Sequence, residues 1–268
     1  MNLVFLGCGV MGESILAGVL DAGEARVRAS VVEARQERAE QLAERYGVSI
    51  ATARTAAADA DLVLVAVKPH DVEAGLASVR SSLPHDAVVV SVAAGLPTDR
   101  LESWLPAGQP VVRAMPNTPA LVGAGVTAIC AGSGADSSHI ARAEQVLSAV
   151  GTVVQVPEHQ MDAVAAVSGS GPAYVFMVVE ALTEAGVRAG LPRELAAQLT
   201  AQTLAGSAAL LTETGEHPAI LRERVTSPGG TTAAALHQLE AHGLRAAFLD
   251  AVIANRDRSA ELAGDDPH

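Results

Sequence analysis

The chain has 268 residues, 49% of them hydrophobic and 18% charged, with a formal net charge of −12. Such a composition lies far from that of disordered chains. Its acidic balance speaks against nucleic acid or an anionic membrane as partner, since both call for a cationic surface, and leaves a small-molecule substrate as the better reading. Domains usually run ~100–200 residues, and the pattern along the chain suggests two.

The first half alternates short β-branched runs with longer alanine-rich, charged segments, the mark of an α/β fold around a mainly parallel sheet. Leu3–Leu6, Ala29–Val32, Leu62–Val67, Val88–Val92, Val111–Ala114, Val126–Cys130 and Val153–Val156 read as strands. The early runs are short and continuously apolar, as strands buried on both faces should be. Glu13–Ala22 and Gln36–Tyr46 read as helices, closed by Gly23 and Gly47. After about Glu158 the strand-like runs give way to long helical stretches starting near Ala173, Pro192, Pro218, Thr231 and Leu244. The expected division is therefore a dinucleotide-binding Rossmann-type domain over residues 1–158 and an all-helical domain over 159–268. The chain's aromatics are only Phe5, Tyr46, Trp104, Tyr174, Phe176 and Phe248. A helical domain so poor in large side chains is expected to bury its faces against a second subunit.

Two uncharged stretches, Ala114–Ala135 and Leu195–Thr212, approach the ~20 apolar residues of a membrane span. The first is broken by Pro116, Asn117 and Pro119, and the second carries Gln198, Gln202 and three threonines, so both read as soluble segments. The start of the chain runs directly into a glycine loop without the pattern of a signal peptide. The two cysteines, Cys8 and Cys130, have no disulfide or metal-ligand spacing. A cytoplasmic location is the expectation. The eight histidines show no ligand-like pairing, and no metal site is assigned.

Gly7-Cys8-Gly9-Val10-Met11-Gly12 follows the first strand and opens the first helix. In that context each glycine has a separate task. Gly7 permits the turn, Gly9 lets a pyrophosphate approach the backbone, and Gly12 lets the helix pack closely. Glu33 follows the second strand, where this motif places an acidic residue on the ribose hydroxyls, and a carboxylate there favours NADH. Arg35 and Arg38 pull toward NADPH, unless they simply form the solvated first turn of the next helix. Sequence alone leaves NADH against NADPH open.

Three further segments carry a resemblance: Val65-Ala66-Val67-Lys68-Pro69; Val111 to Ala120, containing Arg113-Ala114-Met115-Pro116-Asn117-Thr118-Pro119; and Val167 to Tyr174 taken with Ser227-Pro228-Gly229-Gly230-Thr231-Thr232. With the glycine loop, they resemble the pyrroline-5-carboxylate reductase family from Leu3 to about Leu262. Glu33 departs from that likeness, since many members have a small polar residue there. The resemblance implies a Rossmann domain followed by a helical dimerisation domain, with the active site near the interface of two interlocked subunits. It also implies reduction of Δ1-pyrroline-5-carboxylate to L-proline by NADPH or NADH, and a homodimer, with assembly into a larger homo-oligomer left open. In the family pattern Val67, Lys68, Pro69 and the Ala93-Ala94-Gly95 turn line the cofactor cleft, and Asn117 lies close to the nicotinamide end.

Ser227 to Thr232 precedes an alanine-rich helix, whose unpaired first-turn N–H groups can cradle a carboxylate. Thr232 offers a hydroxyl to the substrate's ring nitrogen, and the resemblance points to the same residue. A bland alternative is that Thr231 and Pro228 only cap the helix. Ser168-Gly169-Ser170-Gly171-Pro172 lacks the five-residue spacing of a hydrolase nucleophile turn and reads as a glycine-rich helix entry. Lys68 is the only lysine. Related β-hydroxyacid dehydrogenases use a lysine in their helical domain for acid–base work, and none stands there in this chain. A readily protonated C=N substrate needs orientation and a nitrogen partner more than a strong base. Lys68 itself reads either as a solvated strand-end charge or as a group near cofactor or substrate. Two other readings are carried: a reductase of a different cyclic imine, and a noncatalytic NAD(P)H-sensing module.

Overall fold

A computed structural model describes residues 1–23 and 27–264, the last three of these by backbone alone; residues 265–268 of the expected second domain lie outside the described residues. In chain order the first part comprises β1 (Asn2–Leu6), α1 (Val10–Asp21), β2 (Arg28–Val32), α2 (Gln36–Tyr46), β3 (Ser49–Ile50), α3 (Ala53–Ala57), β4 (Leu62–Val65), α4 (Val72–Val79), β5 (Val88–Ser91), α5 (Thr98–Ser103), β6 (Val111–Met115), β7 (Gly125–Ala131), α6 (Ser137–Leu147), β8 (Gly151–Gln155) and α7 (Met161–Val164). A π-helical turn, Ala165–Gly169, follows. Then come α8 (Gly171–Arg188), α9 (Arg193–Thr214), α10 (Pro218–Arg224), α11 (Thr231–Ala241) and α12 (Leu244–Gly264).

The sheet order is β3-β2-β1-β4-β5-β6-β7-β8. Strands β1 to β6 are parallel, β7 is antiparallel to β6, and β8 runs parallel to β7. The order reverses between β1 and β4, the switch point at which open α/β sheets bind ligands. Successive strand residues face opposite sides, and the apolar runs use both. Leu3, Phe5, Leu62, Leu64, Val88 and Val90 join Ile15, Leu16, Leu42 and Leu147 on one face. Val4, Leu6, Val63, Val65 and Val89 join Val72, Leu76, Val79 and Leu101 on the other. This double burial is why these strands lack the polar alternation of a half-exposed sheet.

The seven expected strands are present, with end shifts of one or two residues. Shifts of two residues occur at β8, which starts at Gly151, and at β4, which stops at Val65 where Ala66 and Val67 pass over the glycine loop. The two-residue β3 adds to them. Helix α2 matches the expected bounds, and α1 begins three residues earlier than expected, at Val10.

The chain divides into two compact units. One comprises Met1–Ser170 with the end of α12 from Asn255 onward, and the other spans Gly171–Ala254. The second unit is helical. Its α8 and α9 approach closely where Gly186 lies, since a Cβ there would come 3.0 Å from the Ala196 Cβ, and Arg193 pairs with Glu184 at 2.6 Å. Among its described residues only Thr183, Ala196 and Thr200 are buried, while Phe176, Met177, Leu199, Leu210 and Leu249 are exposed. One described stretch, Glu158–Arg188, is apolar and long enough to cross a membrane by length and composition; it is neither of the two stretches weighed from sequence.

Candidate active site

Because β1, β4, β5 and β6 are parallel, the segments that follow them leave the same edge of the sheet. That edge collects the Gly7 loop, Val67-Lys68-Pro69, Ala93-Ala94-Gly95 and Asn117, so most of the residues expected to bind cofactor are brought together.

The loop after β1 gives each glycine a distinct physical reason. Gly7 has φ +76°, and a Cβ there would come 2.4 Å from Val67 Cγ1, so a side chain is excluded by conformation and by space. A Cβ on Gly12 would lie 3.0 Å from the Ala66 Cβ, whereas one on Gly9 would meet nothing within 4 Å. The space beside Gly9 is therefore open on its outer side and would be filled by a side chain. Gly9 is the N-cap of α1 and provides no side-chain cap, leaving the N–H groups of the first turn, including Val10 and Met11, for an anion. Val10 is exposed. A dinucleotide pyrophosphate fits this open, uncapped, positively polarised helix end.

The residues around the loop are tied to it. Glu33 Oε2 accepts from the Cys8 N–H at 3.1 Å, and Oε1 accepts from the Arg35 N–H at 3.2 Å. Arg38 donates to the Cys8 carbonyl through Nε at 3.3 Å and Nη2 at 3.1 Å, and also pairs with Glu13. Glu13 further accepts from Arg45 at 3.1 Å and Tyr46 at 2.9 Å. Burial alone would raise the Glu13 carboxyl, but hydrogen bonds from Arg38 and Tyr46 hold it below its ordinary value. Cys8 is fully buried, and burial pushes its thiol up to about 12, so it is a packing group and not a thiolate. This bracing was not foreseen: Glu13 and Arg38 sit on separate helices with no pattern linking them, and Arg38 is a structural partner of the loop where a solvated helix turn was one expectation.

Lys68 is exposed; its carbonyl accepts from the Asp71 N–H at 2.9 Å, and its amine has no partner among the described residues. Gly95 has φ +76° with open space beside it, and Ala93 is buried under it, its N–H bonded to Ser91 Oγ at 3.3 Å. Asn117 is committed at both ends of its amide. Its Oδ1 accepts from the Val126 N–H at 2.9 Å, and its Nδ2 donates to the Ser168 carbonyl at 3.1 Å. It thus ties β6 and β7 to the π turn, with one amide hydrogen left over. The π turn closes through the Ser170 N–H to the Ala165 carbonyl at 2.8 Å, and Asn255 Nδ2 donates to Ser170 Oγ at 2.9 Å. Single π turns recur at functional sites; nothing in the sequence marks this one beyond its glycines and serines.

In the helical unit, Gly229 has φ +67°, and a Cβ on Gly230 would come 2.4 Å from Ser227 Oγ, so Ser227-Pro228-Gly229-Gly230 can make its tight turn only with glycines at the end. Gly230 is the N-cap of α11 without a side-chain cap bond. The first amide of this helix to find a carbonyl is Ala234, bonded to Gly230 at 3.1 Å. Those of Thr231, Thr232 and Ala233 have no acceptor among the described residues. The bland expectation that Thr231 and Pro228 merely cap the helix has no cap bond behind it. Thr232 is half-buried, and its hydroxyl has no partner among the described residues. Three free N–H groups and a free hydroxyl can take a carboxylate and a ring nitrogen.

Residues 158–262 match the family model described as pyrroline-5-carboxylate reductase dimerisation, and residues 2–95 match that of NADP oxidoreductase coenzyme F420-dependent. The chain is 46% identical to the pyrroline-5-carboxylate reductase of Mycobacterium tuberculosis, covering 97% of this chain and 96% of that one. Among solved structures, a pyrroline-5-carboxylate reductase from Coxiella burnetii superposes with a TM-score of 0.94 at 39% identity, covering 97% and 98% of the two chains. Plasmodium falciparum pyrroline carboxylate reductase with NADP bound superposes with a TM-score of 0.85 at 28% identity, covering 98% of each.

Proposed function

The chain belongs to the pyrroline-5-carboxylate reductase family, and from that premise we infer that it reduces Δ1-pyrroline-5-carboxylate to L-proline with NAD(P)H, the last step of proline biosynthesis. The observation that carries this reading beyond the family likeness is the pair of uncapped helix starts, at α1 and α11. One suits a pyrophosphate and the other a carboxylate, the two anionic groups that the reaction must hold.

A bound reduced nicotinamide would supply a hydride for the imine carbon, whose ring nitrogen, protonated, becomes the secondary amine of proline. The chain's own residues bind and orient. Gly7, Gly9, Val10, Met11 and Gly12 hold the pyrophosphate on the α1 amides. Glu33 and Arg35 stand at the adenosine ribose. Val67, Lys68, Pro69, Ala93, Ala94 and Gly95 line the rest of the cofactor path, and Asn117 keeps the sheet edge and the π turn in register at the nicotinamide end. Ser227, Gly229, Gly230 and Thr231 form the carboxylate turn. The Thr232 hydroxyl bonds the ring nitrogen and orients the C=N for hydride attack. In this assignment residues 1–158 serve the cofactor, and 159–268 serve substrate and assembly.

The helical segment makes the chain an oligomer; we take it to be a homodimer able to build larger homo-oligomers. The apolar faces of Glu158–Arg188 then meet a second copy and not lipid. The acidic charge and the two buried, unpaired cysteines support a cytoplasmic location and small-molecule partners, with neither nucleic acid nor membrane among them.

Loss of nicotinamide absorbance on adding pyrroline-5-carboxylate is expected with the purified protein. No oxidation of either NADH or NADPH by a folded oligomer would reject the reading. Thr232→Ala should lower kcat/KM by roughly 10- to 100-fold, the range for losing one hydrogen bond to a charged or reacting group, with cofactor affinity unchanged. Wild-type efficiency in that variant would remove the hydroxyl from the mechanism.

A further inference from the structure

We infer that this chain selects NADH over NADPH, because Glu33 is fixed against the glycine loop while the arginine best placed to hold a 2′-phosphate is committed elsewhere. The inference rests on the reading that the loop takes a reduced nicotinamide dinucleotide, and it supplies what the sequence left open between Glu33 and the two nearby arginines.

The carboxylate sits where ribose recognition needs it. Its bond to the Cys8 N–H at 3.1 Å puts it on the glycine loop itself, and its side chain is only 9% exposed. The Arg35 backbone N–H at 3.2 Å and Nε at 3.4 Å hold its other oxygen. A carboxylate offers about four lone-pair sites. Oε2, with the Cys8 N–H as its one donor, keeps acceptor capacity for a ribose hydroxyl. A 2′-phosphate offers no hydroxyl at that position and brings close to two negative charges against this fixed one.

An NADPH site would need a cation free to neutralise that charge, and neither arginine supplies one. Arg38 is 21% exposed; its Nε and Nη2 donate to the Cys8 carbonyl, and Nη2 also pairs with Glu13. Its hydrogen bond to Glu13 raises its pKa further. To grip a phosphate it would have to leave the loop it braces and strand a carboxylate that Arg45 and Tyr46 also hold. Arg35 is 72% exposed, and its side-chain contact is with Glu33, so its charge is already opposed by the group that repels the phosphate. In this arrangement Arg38 is a positioning residue for the loop carbonyl, and Glu33 is the specificity determinant.

The test measures dissociation constants of NADH and NADPH by calorimetry, alongside kcat/KM for each with pyrroline-5-carboxylate, in the wild type, Glu33→Gln and Arg38→Met. Glutamine keeps the shape and an acceptor for the Cys8 N–H but removes the charge. The wild type should bind and use NADH roughly 10- to 100-fold better, the scale on which like-charge apposition discriminates. Glu33→Gln should shrink that ratio at least tenfold, mainly by a gain for NADPH. Arg38→Met should weaken both cofactors alike and leave the ratio where it was. Equal use of the two cofactors, an NADPH preference in the wild type, an unmoved ratio in Glu33→Gln, or a selective loss of NADPH in Arg38→Met would each overturn the inference. Failure of both dinucleotides to bind would instead remove the cofactor reading beneath it, and the wild-type ratio stands as a test even if a variant fails to fold.

Discussion

The sheet unit and the helical unit solve the burial problem in opposite ways. In the first, β1, β4, β5 and β6 are apolar on both faces, and helices cover each face. In the second, α8 to α11 bury three described residues between them, two of which are threonines. A helix gains most of its stability from packing an apolar face, and here those faces carry Phe176, Met177, Leu199 and Leu210 in the open. The difference teaches that one region is a finished fold within a single chain, while the other leaves apolar faces for the oligomer that its dimerisation segment implies.

The largest effect that would test this contrast lies in the sheet. Leu64 is fully buried, and Leu64→Ala should cost about 2–5 kcal/mol, through lost transfer energy and the cavity left behind. Urea unfolding at fixed protein concentration would read this, since an oligomer's apparent stability depends on concentration, and the native mass should be unchanged. A cost below about 1 kcal/mol would mean that the sheet interior is not the finished core described. A next step addresses the helices. Phe176 is 62% exposed within the chain; were it truly facing water, Phe176→Asp would alter stability by only about 0.5 kcal/mol. On a subunit interface it should instead release monomers, visible as a halved mass in analytical ultracentrifugation at micromolar protein. An unchanged mass would sink the interface assignment for that face of α8.

The smallest expected effect sits on the sheet unit's surface. Asp136 caps α6, accepting from Ser138 Oγ at 2.8 Å and from the Ser138 and His139 N–H groups. The Ser138 hydroxyl, followed by those backbone bonds, holds its carboxyl down at about 2. A folded pKa below the unfolded value of about 3.9 means that this stabilisation is complete above that value and is lost as pH falls through about 2. Asp136→Asn, which keeps a capping oxygen, should flatten the fall in melting temperature between about pH 4 and pH 2. An identical slope in the variant would show that the cap does not depend on ionisation.

What was legible in the sequence follows the same contrast. Strands buried on both sides announce themselves as continuous apolar runs, so the runs Leu62–Val67 and Val88–Val92 could be read and contain β4 and β5, and Gly47 marked the end of α2. The two-residue β3 has too little pattern to be seen, and α6 is masked by serines that turn out to belong to its cap. The helical unit could be read as helices and not as a core, because few of its described residues are buried within the chain. Of the proposed site segments, the short-range turns were legible, since the Gly7 loop and the Ser227–Thr232 turn each close within six residues. The Glu13–Arg38 brace, the π turn and the two bonds of Asn117 join residues far apart in sequence, and only the fold brings them together. The committed state of Arg38, on which the proposed NADH preference rests, belongs to that second kind.

The single lysine has a practical consequence. Lys68 is exposed, unpaired among the described residues, and lies next in sequence to Val67, which fills the space over Gly7; the other primary amine, the chain's N-terminus, sits 4.0 Å from Asp61. Among side chains, amine-directed reagents therefore have one address on the molecule, and it lies beside the glycine loop. A fluorophore or sensor chip attached through lysine would mark that loop, and would crowd the proposed cofactor whose binding it was meant to report.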